Sequence, residues 1–202
     1  MSQDAPRLEF WFSTGSTHSY LTAYRIGAAA SEAGVTLSLH PFNMEAVRAD
    51  AADWPFAENT PRTMHMWRDI ARRAALLGLS PRLPAPYPAP HARMADSIAY
   101  VMDKRGLGLE WLRSSYREWF EHGLPPGTEA ATTNGLQALD VDVEAVLKEA
   151  NAVSTVLALE TASRRARKLG IFGAPSFLVG DEVFWGDDRL EDALAWAKGA
   201  WL

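Results

Sequence analysis

Residues Gly170 to Leu190 read GIFGAPSFLVGDEVFWGDDRL, and the rest of the chain is organised around this stretch. Pro175 precedes a first apolar run, Gly180-Asp181 supplies a turn, and a second apolar run stops at Gly186. Two short runs around a tight turn predict a β-hairpin. Behind the hairpin, Asp187-Asp188 precede apolar residues at helical spacing, which predicts a final helix capped by a carboxylate.

Pro175 opens the first strand of this hairpin. A proline has no N–H to donate to a sheet, so it belongs at the start or the edge of a strand. A cis bond before Pro175 would turn the backbone of Ala174 outward and leave its N–H and C=O free to pair with a peptide-like ligand. A trans proline that merely begins the strand is the alternative, because only about 5–6% of X–Pro bonds are cis. Taken alone, the stretch leaves both isomers open.

The N-terminal part of the chain has a β-α-β pattern. Leu8–Phe12 is rich in aromatic residues and predicts a buried strand. Residues 16–34 have helical spacing and end at a glycine, and Val35–His40 alternates apolar and polar residues before Pro41. This order predicts a parallel strand pair joined by a right-handed crossover helix.

Between the second strand and the hairpin the pattern is helical with irregular interruptions. Residues 42–61 predict a surface loop over a site, residues 81–90 carry five prolines and predict an extended linker, and residues 128–142 form a mainly polar stretch. The predicted helices cover 62–77, 91–104, 107–122, 143–150 and 154–169.

The complete order predicts an α/β protein with the thioredoxin-like plan, βαβ followed by ββα, and an all-helical insertion as in the DsbA branch. A length of 202 residues suits a single domain over 1–202. Within it we expect a thioredoxin-like core from residues 1–42 and 170–202, with residues 43–169 as the helical insertion.

Composition excludes several classes of function. The net charge is −5 and both signs are interspersed, so no basic face for nucleic acid is expected. No stretch reaches the roughly 18 apolar residues of a membrane helix, and the N-terminus lacks the basic and apolar parts of a signal peptide. We therefore expect a cytoplasmic protein that binds neither membranes nor nucleic acids.

The chain contains no cysteine. Disulfides, thiolate metal sites and cysteine nucleophiles are therefore excluded, and any thiol chemistry requires a thiol brought by a ligand. The histidines outside the first helix have no metal-ligand spacing with one another, so we assign no metal site. These histidines are His40, His65, His91 and His122.

Motifs at both ends of the chain carry a family resemblance. They are Phe10-Trp-Phe12 with Ser16-Thr-His-Ser-Tyr-Leu21, and Gly173-Ala-Pro-Ser-Phe177 with Phe184-Trp-Gly-Asp-Asp-Arg-Leu190. They resemble the 2-hydroxychromene-2-carboxylate isomerases and kappa-class glutathione transferases, which share a DsbA-like thioredoxin fold. The resemblance implies glutathione as cofactor, a cis bond at Pro175 and a homodimer. It also implies an enzyme that isomerises a small aromatic or unsaturated substrate by thiolate addition, bond rotation and elimination.

The resemblance also implies roles for individual residues. Ser16 occupies the place of the first cysteine of thioredoxin-type oxidoreductases and becomes the catalytic residue, which also contacts glutathione. A hydroxyl at a helix N-terminus can donate to a thiolate, and the helix dipole favours that anion. Ala174 and Pro175 become the backbone contact for glutathione.

Four further residues match glutathione-binding positions of the family. Asp187 and Asp188 match the positions that hold the γ-glutamyl end, where a carboxylate can pair with the ligand's amino group. Arg62 matches a basic residue that faces the substrate or the glycyl carboxylate, and Asn59 matches a loop asparagine.

Alternative interpretations remain open beside these roles. Ser16, Asp187 and Asp188 could be helix caps only, and Arg62 could be a solvated charge. His18 is interpreted as a surface histidine of the first helical turn rather than a base. The aromatic residues of the predicted helix 107–122 are interpreted as core or dimer interface rather than a substrate box; they are Trp111, Tyr116, Trp119 and Phe120.

Three residues next to Ser16 depart from the family pattern. Thr17 replaces a proline, Ser13 replaces an acidic residue, and His18 stands where an apolar or aromatic residue is common. Two other functions therefore stay open: a kappa-class-like glutathione transferase, and a non-catalytic module that binds glutathione or thiol peptides.

Overall fold

The computed structural model describes residues 5–48 and 60–200, and in these ranges four strands form one sheet. The strands are β1 (Arg7–Phe12), β2 (Thr36–Pro41), β3 (Ser176–Val179) and β4 (Glu182–Trp185). Their order across the sheet is β2-β1-β3-β4. The β1–β2 pair is parallel, and the β1–β3 and β3–β4 pairs are antiparallel. The predicted β-α-β opening and the hairpin are confirmed; β1 begins one residue before the predicted strand, and β2 is shifted by one residue towards the C-terminus.

Nine α-helices lie in the described ranges. They are α1 (Thr17–Ala33), α2 (Met44–Val47), α3 (Pro61–Leu76), α4 (Ala92–Lys104), α5 (Gly108–Phe120), α6 (Glu129–Gln137), α7 (Val143–Ala150), α8 (Val153–Lys168) and α9 (Leu190–Ala197). A single 3-10 turn, Asp187–Arg189, precedes α9. Helices α2 to α8 all lie between β2 and β3 in the chain.

Helix α6 was not predicted, because its sequence is mostly polar and small. Thr128 caps it with a side chain that accepts from the N–H of Ala131. Gly135 allows a close approach to α5, since a Cβ at this position would lie 3.2 Å from the Trp111 ring. Packing by small residues therefore replaces the apolar stripe that sequence patterns detect.

The two faces of β1 are covered by two apolar clusters. Leu8, Phe10 and Phe12 belong to the larger cluster, which contains α1, α4 and α5, whereas Trp11 belongs to a smaller one near α8. This division follows from the alternation of side chains along a strand. The aromatic residues of α5 are at most 1% exposed, which confirms the prediction that they form core.

The proline segment, residues 81–90, is irregular as predicted but is not a linker. Trp119 donates from Nε1 to the carbonyl of Pro86 at 2.7 Å. The Tyr87 ring packs against Trp67 and Trp119, with centroid distances of 5.8 and 6.5 Å. Aromatic residues of α3 and α5 thus fix this segment to the domain. No helix in the described ranges is long and apolar enough to cross a membrane.

Candidate functional site

Ser16 is the N-cap of α1. Its backbone is extended, with φ −91° and ψ 120°, and its Oγ accepts a hydrogen bond from the N–H of Ser19 at 3.3 Å. The same hydroxyl donates to the carbonyl oxygen of Ala174 at 2.7 Å. Ser16 is therefore more than a cap, because its Oγ connects the start of α1 to the segment before β3.

The peptide bond between Ala174 and Pro175 is cis, which confirms that prediction. The Ala174 carbonyl already accepts from Ser16, so the expectation that it is free was wrong. The Ala174 N–H donates to no residue in the described ranges. The loop beyond β4 returns to this point, because the N–H of Gly186 donates to the Pro175 carbonyl at 2.9 Å.

Asp187 is 2% exposed and is bonded within the protein. Its Oδ1 accepts from Thr22 at 2.8 Å and from Arg25 at 3.0 Å. Its Oδ2 accepts from Arg73 at 2.6 and 3.2 Å. Because both oxygens are engaged, the carboxylate ties α1, α3 and the 3-10 turn together. In this structure Asp187 is an internal partner of arginines that also lines the cavity beside Ser16, and its predicted contact with the amino end of glutathione stays a prediction.

Asp188, the next residue, is open to solvent. Its side chain is 53% exposed and accepts from Arg189 at 2.9 Å. Burial alone would raise the pKa of Asp188, but the hydrogen bond and charge of Arg189 outweigh it and lower that pKa. An ionised, accessible carboxylate at the rim is therefore supplied by Asp188 rather than by Asp187.

Arg62 and Asn59 are not brought to this point by the described structure. Arg62 is exposed in the first turn of α3 and is not among the described residues that line the cavity next to Ser16. Asn59 lies outside the described residues. Their predicted contacts with glutathione or substrate stay predictions.

A cavity of about 620 Å³ opens beside Ser16, Ala174 and Asp188. Its volume falls within the roughly 300–1,000 Å³ of small-molecule sites. The described lining includes apolar side chains from α2 and the proline segment and three arginines; these residues are Met44, Tyr87, Pro88, Ala89, Pro90, Arg48, Arg73 and Arg93. The proline segment therefore forms one wall of the cavity.

His18 lies in the lining of this cavity, two residues after Ser16. Its side chain is 31% exposed, and its Nε2 lies 3.7 Å from Oδ2 of Asp69 on α3. Burial lowers the pKa of His18, although the charges of Asp69 and Asp187 act in the opposite direction. His18 is thus a partly exposed neighbour of the candidate site, and its interpretation as a surface residue rather than a base stays a prediction.

Sequence patterns missed the residues that reach the cavity from other elements. Arg48, Asp69, Arg73 and Tyr87 come from three separate segments between β2 and α4. The prolines around Tyr87 predict irregular backbone, but no local pattern predicts that this tyrosine lines a cavity. The others depend on the packing of α3 against α1.

Comparison with known proteins gives a family and a set of relatives. The profile of the DSBA-like thioredoxin domain matches residues 7–195. Proteins named 2-hydroxychromene-2-carboxylate isomerase from Sphingobium xenophagum and Pseudomonas putida are each 23% identical to the chain, over 186 and 187 residues. The alignments cover 91% of the chain and 94% and 90% of these relatives.

Solved structures share the architecture. A 2-hydroxychromene-2-carboxylate isomerase structure has a TM-score of 0.83 at 21% identity, over 96% of this chain and 95% of that one. The cytosolic disulfide reductase DsbM from Pseudomonas aeruginosa, in a structure with GSH, has a TM-score of 0.65 at 16% identity, over 96% and 98% of the two chains. These likenesses confirm the predicted thioredoxin-like fold with its helical insertion. With a domain profile that matches almost its whole length, the chain belongs to the DSBA-like thioredoxin domain family.

Proposed function

We propose that this protein is a glutathione-dependent cis-trans isomerase of the 2-hydroxychromene-2-carboxylate isomerase type. The observation that carries the proposal is the placement of the Ser16 hydroxyl. It lies at the N-terminus of α1, 2.7 Å from the carbonyl before a cis-proline, in a chain without cysteine. Two relatives that align over 91% of the chain bear the isomerase name.

The residues around Ser16 fit a glutathione molecule. The N–H of Ala174, which has no acceptor among the described residues, suits the carbonyl of a cysteinyl residue, as a strand edge suits a peptide. The exposed carboxylate of Asp188 suits an ammonium group at the γ-glutamyl end. One further structure with the same fold, that of DsbM, was solved with GSH. We assign Ser16, Ala174, Pro175 and Asp188 as the glutathione contacts in this proposal.

When bound, glutathione supplies a nucleophilic thiolate that can add to a conjugated substrate and leave again after bond rotation. The protein's part is to favour this anion. The Ser16 hydroxyl can turn from the Ala174 carbonyl to donate to a sulfur, and the first N–H groups of α1 carry the positive end of the helix dipole. Burial lowers the pKa of His18 beside them and so favours the neutral ring, whose unprotonated nitrogen can accept a proton.

The remaining lining supports an unsaturated, anionic aromatic compound as substrate. Met44, Tyr87 and Pro88 provide apolar surface, and Arg48 and Arg93 provide positive charge in a lining that also contains Glu45 and Asp69. An arginine can bind a carboxylate with two parallel hydrogen bonds, which adds orientation to affinity. A flat apolar body with a carboxylate end therefore suits this side of the cavity.

The test replaces the hydroxyl that carries the proposal. We expect Ser16→Ala to lower the rate of isomerisation of a hydroxychromene-type carboxylate by about tenfold or more, since a hydrogen bond to an ionised group is lost. Ser31→Ala, at an exposed position of the same helix, is the matched control and keeps the wild-type rate.

Calorimetric titration with glutathione separates binding from chemistry in the same variants. We expect Ser16→Ala to bind glutathione within about threefold of wild type, because the Ala174 and Asp188 contacts are intact. Full turnover in Ser16→Ala would remove the serine from the mechanism. Binding by the wild type without isomerisation, but with conjugation of an electrophile, would assign the protein as a transferase instead.

A further inference from the structure

A buried carboxylate on α4 binds the loop that leads to Ser16. Asp96, in the second turn of α4, is 1% exposed. Its Oδ2 accepts from the Ser13 hydroxyl at 2.9 Å, and its Oδ1 accepts from the N–H and hydroxyl of Thr14 at 2.6 and 2.9 Å. Three donors from two consecutive loop residues thus converge on one side chain that lines no part of the cavity.

A second buried group braces the same loop from α5. The Tyr116 hydroxyl lies 3.2 Å from the carbonyl of Ser13 and 3.2 Å from the carbonyl of Ser16. The N–H of Ser16 in turn donates to the Ser13 carbonyl at 2.9 Å. The backbone on both sides of the Ser16 side chain is therefore tied to one tyrosine.

The loop is also pressed against α4 without space to move. A Cβ added at Gly15 would lie 2.8 Å from the Cβ of Ala92, and the Thr14 hydroxyl lies 3.2 Å from the Ala92 carbonyl. The loop between β1 and α1 has no regular structure of its own. Its contacts with α4 and α5 therefore set the position of Ser16.

We propose that Asp96 is a positioning residue for Ser16, which holds residues 13–15 in the conformation that places the Ser16 hydroxyl at the N-terminus of α1, within reach of the cavity. The inference rests on the proposed function for its kinetic consequence, but not for its structural one. Asp96 itself does not touch the cavity, so its effect passes through the loop. Displacement of a reacting group by about 1 Å can cost on the order of 100-fold in rate.

The tether depends on hydrogen bonds rather than on charge. A protonated Oδ2 can donate to the Ser13 hydroxyl, while Oδ1 still accepts from Thr14. The amide of asparagine can do the same through its NH₂ group and its oxygen. Asp96→Asn should therefore preserve the tether, whereas Asp96→Ala removes all three acceptor contacts.

The experiment compares these two variants with a matched buried acid. Glu118 is also nearly buried and accepts from Asn134 and His122, outside the cavity lining. We expect kcat for isomerisation to fall about tenfold or more in Asp96→Ala, with KM for glutathione changed less than about threefold. Asp96→Asn should stay within about threefold of wild type, and Glu118→Gln should match wild type in both constants.

Hydrogen exchange measured on a peptide covering residues 13–22 tests the tether without any turnover. We expect faster exchange in Asp96→Ala, and wild-type exchange in Asp96→Asn and Glu118→Gln. If the wild type shows neither glutathione binding nor isomerisation, the proposed function fails, and the exchange data still decide on the tether. Unchanged exchange in Asp96→Ala, or an equal loss of kcat in Asp96→Asn and Asp96→Ala, would overturn the proposal.

Two milder variants serve if Asp96→Ala does not fold. Ser13→Ala removes the contact to Oδ2, and Thr14→Val removes the hydroxyl contact to Oδ1 while keeping the volume and the N–H donor. We expect each to lower kcat by about threefold and to speed exchange of the same peptide. Wild-type kcat and exchange in both would overturn the proposal.

Discussion

Asp96 and Asp187 are equally hidden from solvent, but their carboxylates are satisfied in different ways. Asp96 is 1% exposed and accepts from Ser13 and Thr14, which are neutral. Asp187 is 2% exposed and is paired with Arg25 and Arg73. Loss of charge should therefore have different effects on stability at two aspartates that are buried to the same degree. The partners of Asp187 require an ionised carboxylate, whereas those of Asp96 do not.

The strongest test of this difference neutralises Asp187. In Asp187→Asn the guanidinium of Arg73 loses its pair with Asp187, and that of Arg25 keeps its pair with Glu191 but loses the buried one. We expect the free energy of unfolding to fall by about 3 kcal/mol or more, as for other broken buried ion pairs. Urea denaturation measures this change. A loss below about 1 kcal/mol would contradict the role of Asp187 as a charged hub.

Neutralising Asp96 should change the free energy of unfolding in the opposite direction, towards greater stability. Burial raises the pKa of Asp96 to about 7, although the hydrogen bonds from Thr14 and Ser13 oppose this rise and the charge of Glu45 adds to it. Because the folded pKa lies above the unfolded value, the protonated group favours folding at low pH, and this contribution is lost as the pH rises through 7.

The measurable consequence is a pH-dependent difference between Asp96→Asn and wild type. We expect equal stability near pH 4 and an advantage for Asp96→Asn on the order of 2 kcal/mol at pH 8. Thermal denaturation across this range provides the data, and Glu118→Gln is the control for a buried acid elsewhere. A constant difference from pH 4 to pH 8 would show that folding does not raise the pKa of Asp96.

Asp188 extends the comparison to an exposed carboxylate beside a buried one. Asp188→Asn should leave the free energy of unfolding within about 0.5 kcal/mol of wild type, because its side chain is 53% exposed. In the proposed function it should weaken glutathione binding about tenfold through loss of a charged hydrogen bond. Scanning calorimetry measures the free energy of unfolding, and titration calorimetry measures the affinity for glutathione on the same sample. Unchanged affinity would remove Asp188 from the glutathione site.

The smallest expected effect concerns His18. Burial lowers its pKa, so its folded value lies below the ordinary 6.5. The stabilisation linked to the neutral ring is therefore present above pH 6.5 and is lost as the pH falls through the folded pKa, which is opposite in direction to Asp96. We expect wild type to lose less than about 1 kcal/mol relative to His18→Gln between pH 7 and pH 5.

Titration of the His18 ring by NMR measures the pKa of His18 directly. Asp69→Asn should lower the pKa of His18 further, because Asp69 favours the protonated ring. A rise of this pKa in Asp69→Asn would contradict the contact seen at 3.7 Å.

The sequence allowed prediction of those parts of the site that depend on local signals. Ser16 stands at a helix start, and Pro175 stands at a strand start before a glycine turn, so both positions follow from short patterns. The burial of Asp187 and the exposure of Asp188 do not follow from short patterns. Which carboxylate is buried depends on Arg25 and Arg73, which lie 162 and 114 positions away in the chain.

Asp96 could have been noticed from its position within a helix. It lies on the apolar side of α4, between Ala95 and buried residues such as Ile98 and Ala99. An acid on the buried face of a helix requires a partner, and this requirement is visible in the periodicity alone. The identity of the partner is not, because Ser13 and Thr14 belong to a loop more than eighty positions earlier.

The proline segment gives the protein two separately built halves of one cavity. Ala174 and Asp188 flank the β3–β4 hairpin, whose ladder fixes their backbone, while Tyr87 to Pro90 lie outside the sheet and are fixed by aromatic side chains. Changes at Tyr87 to Pro90 therefore alter one wall without altering the hairpin register. Substitutions in this one short segment would therefore change which substrates the cavity admits, while the half formed by the hairpin stays the same.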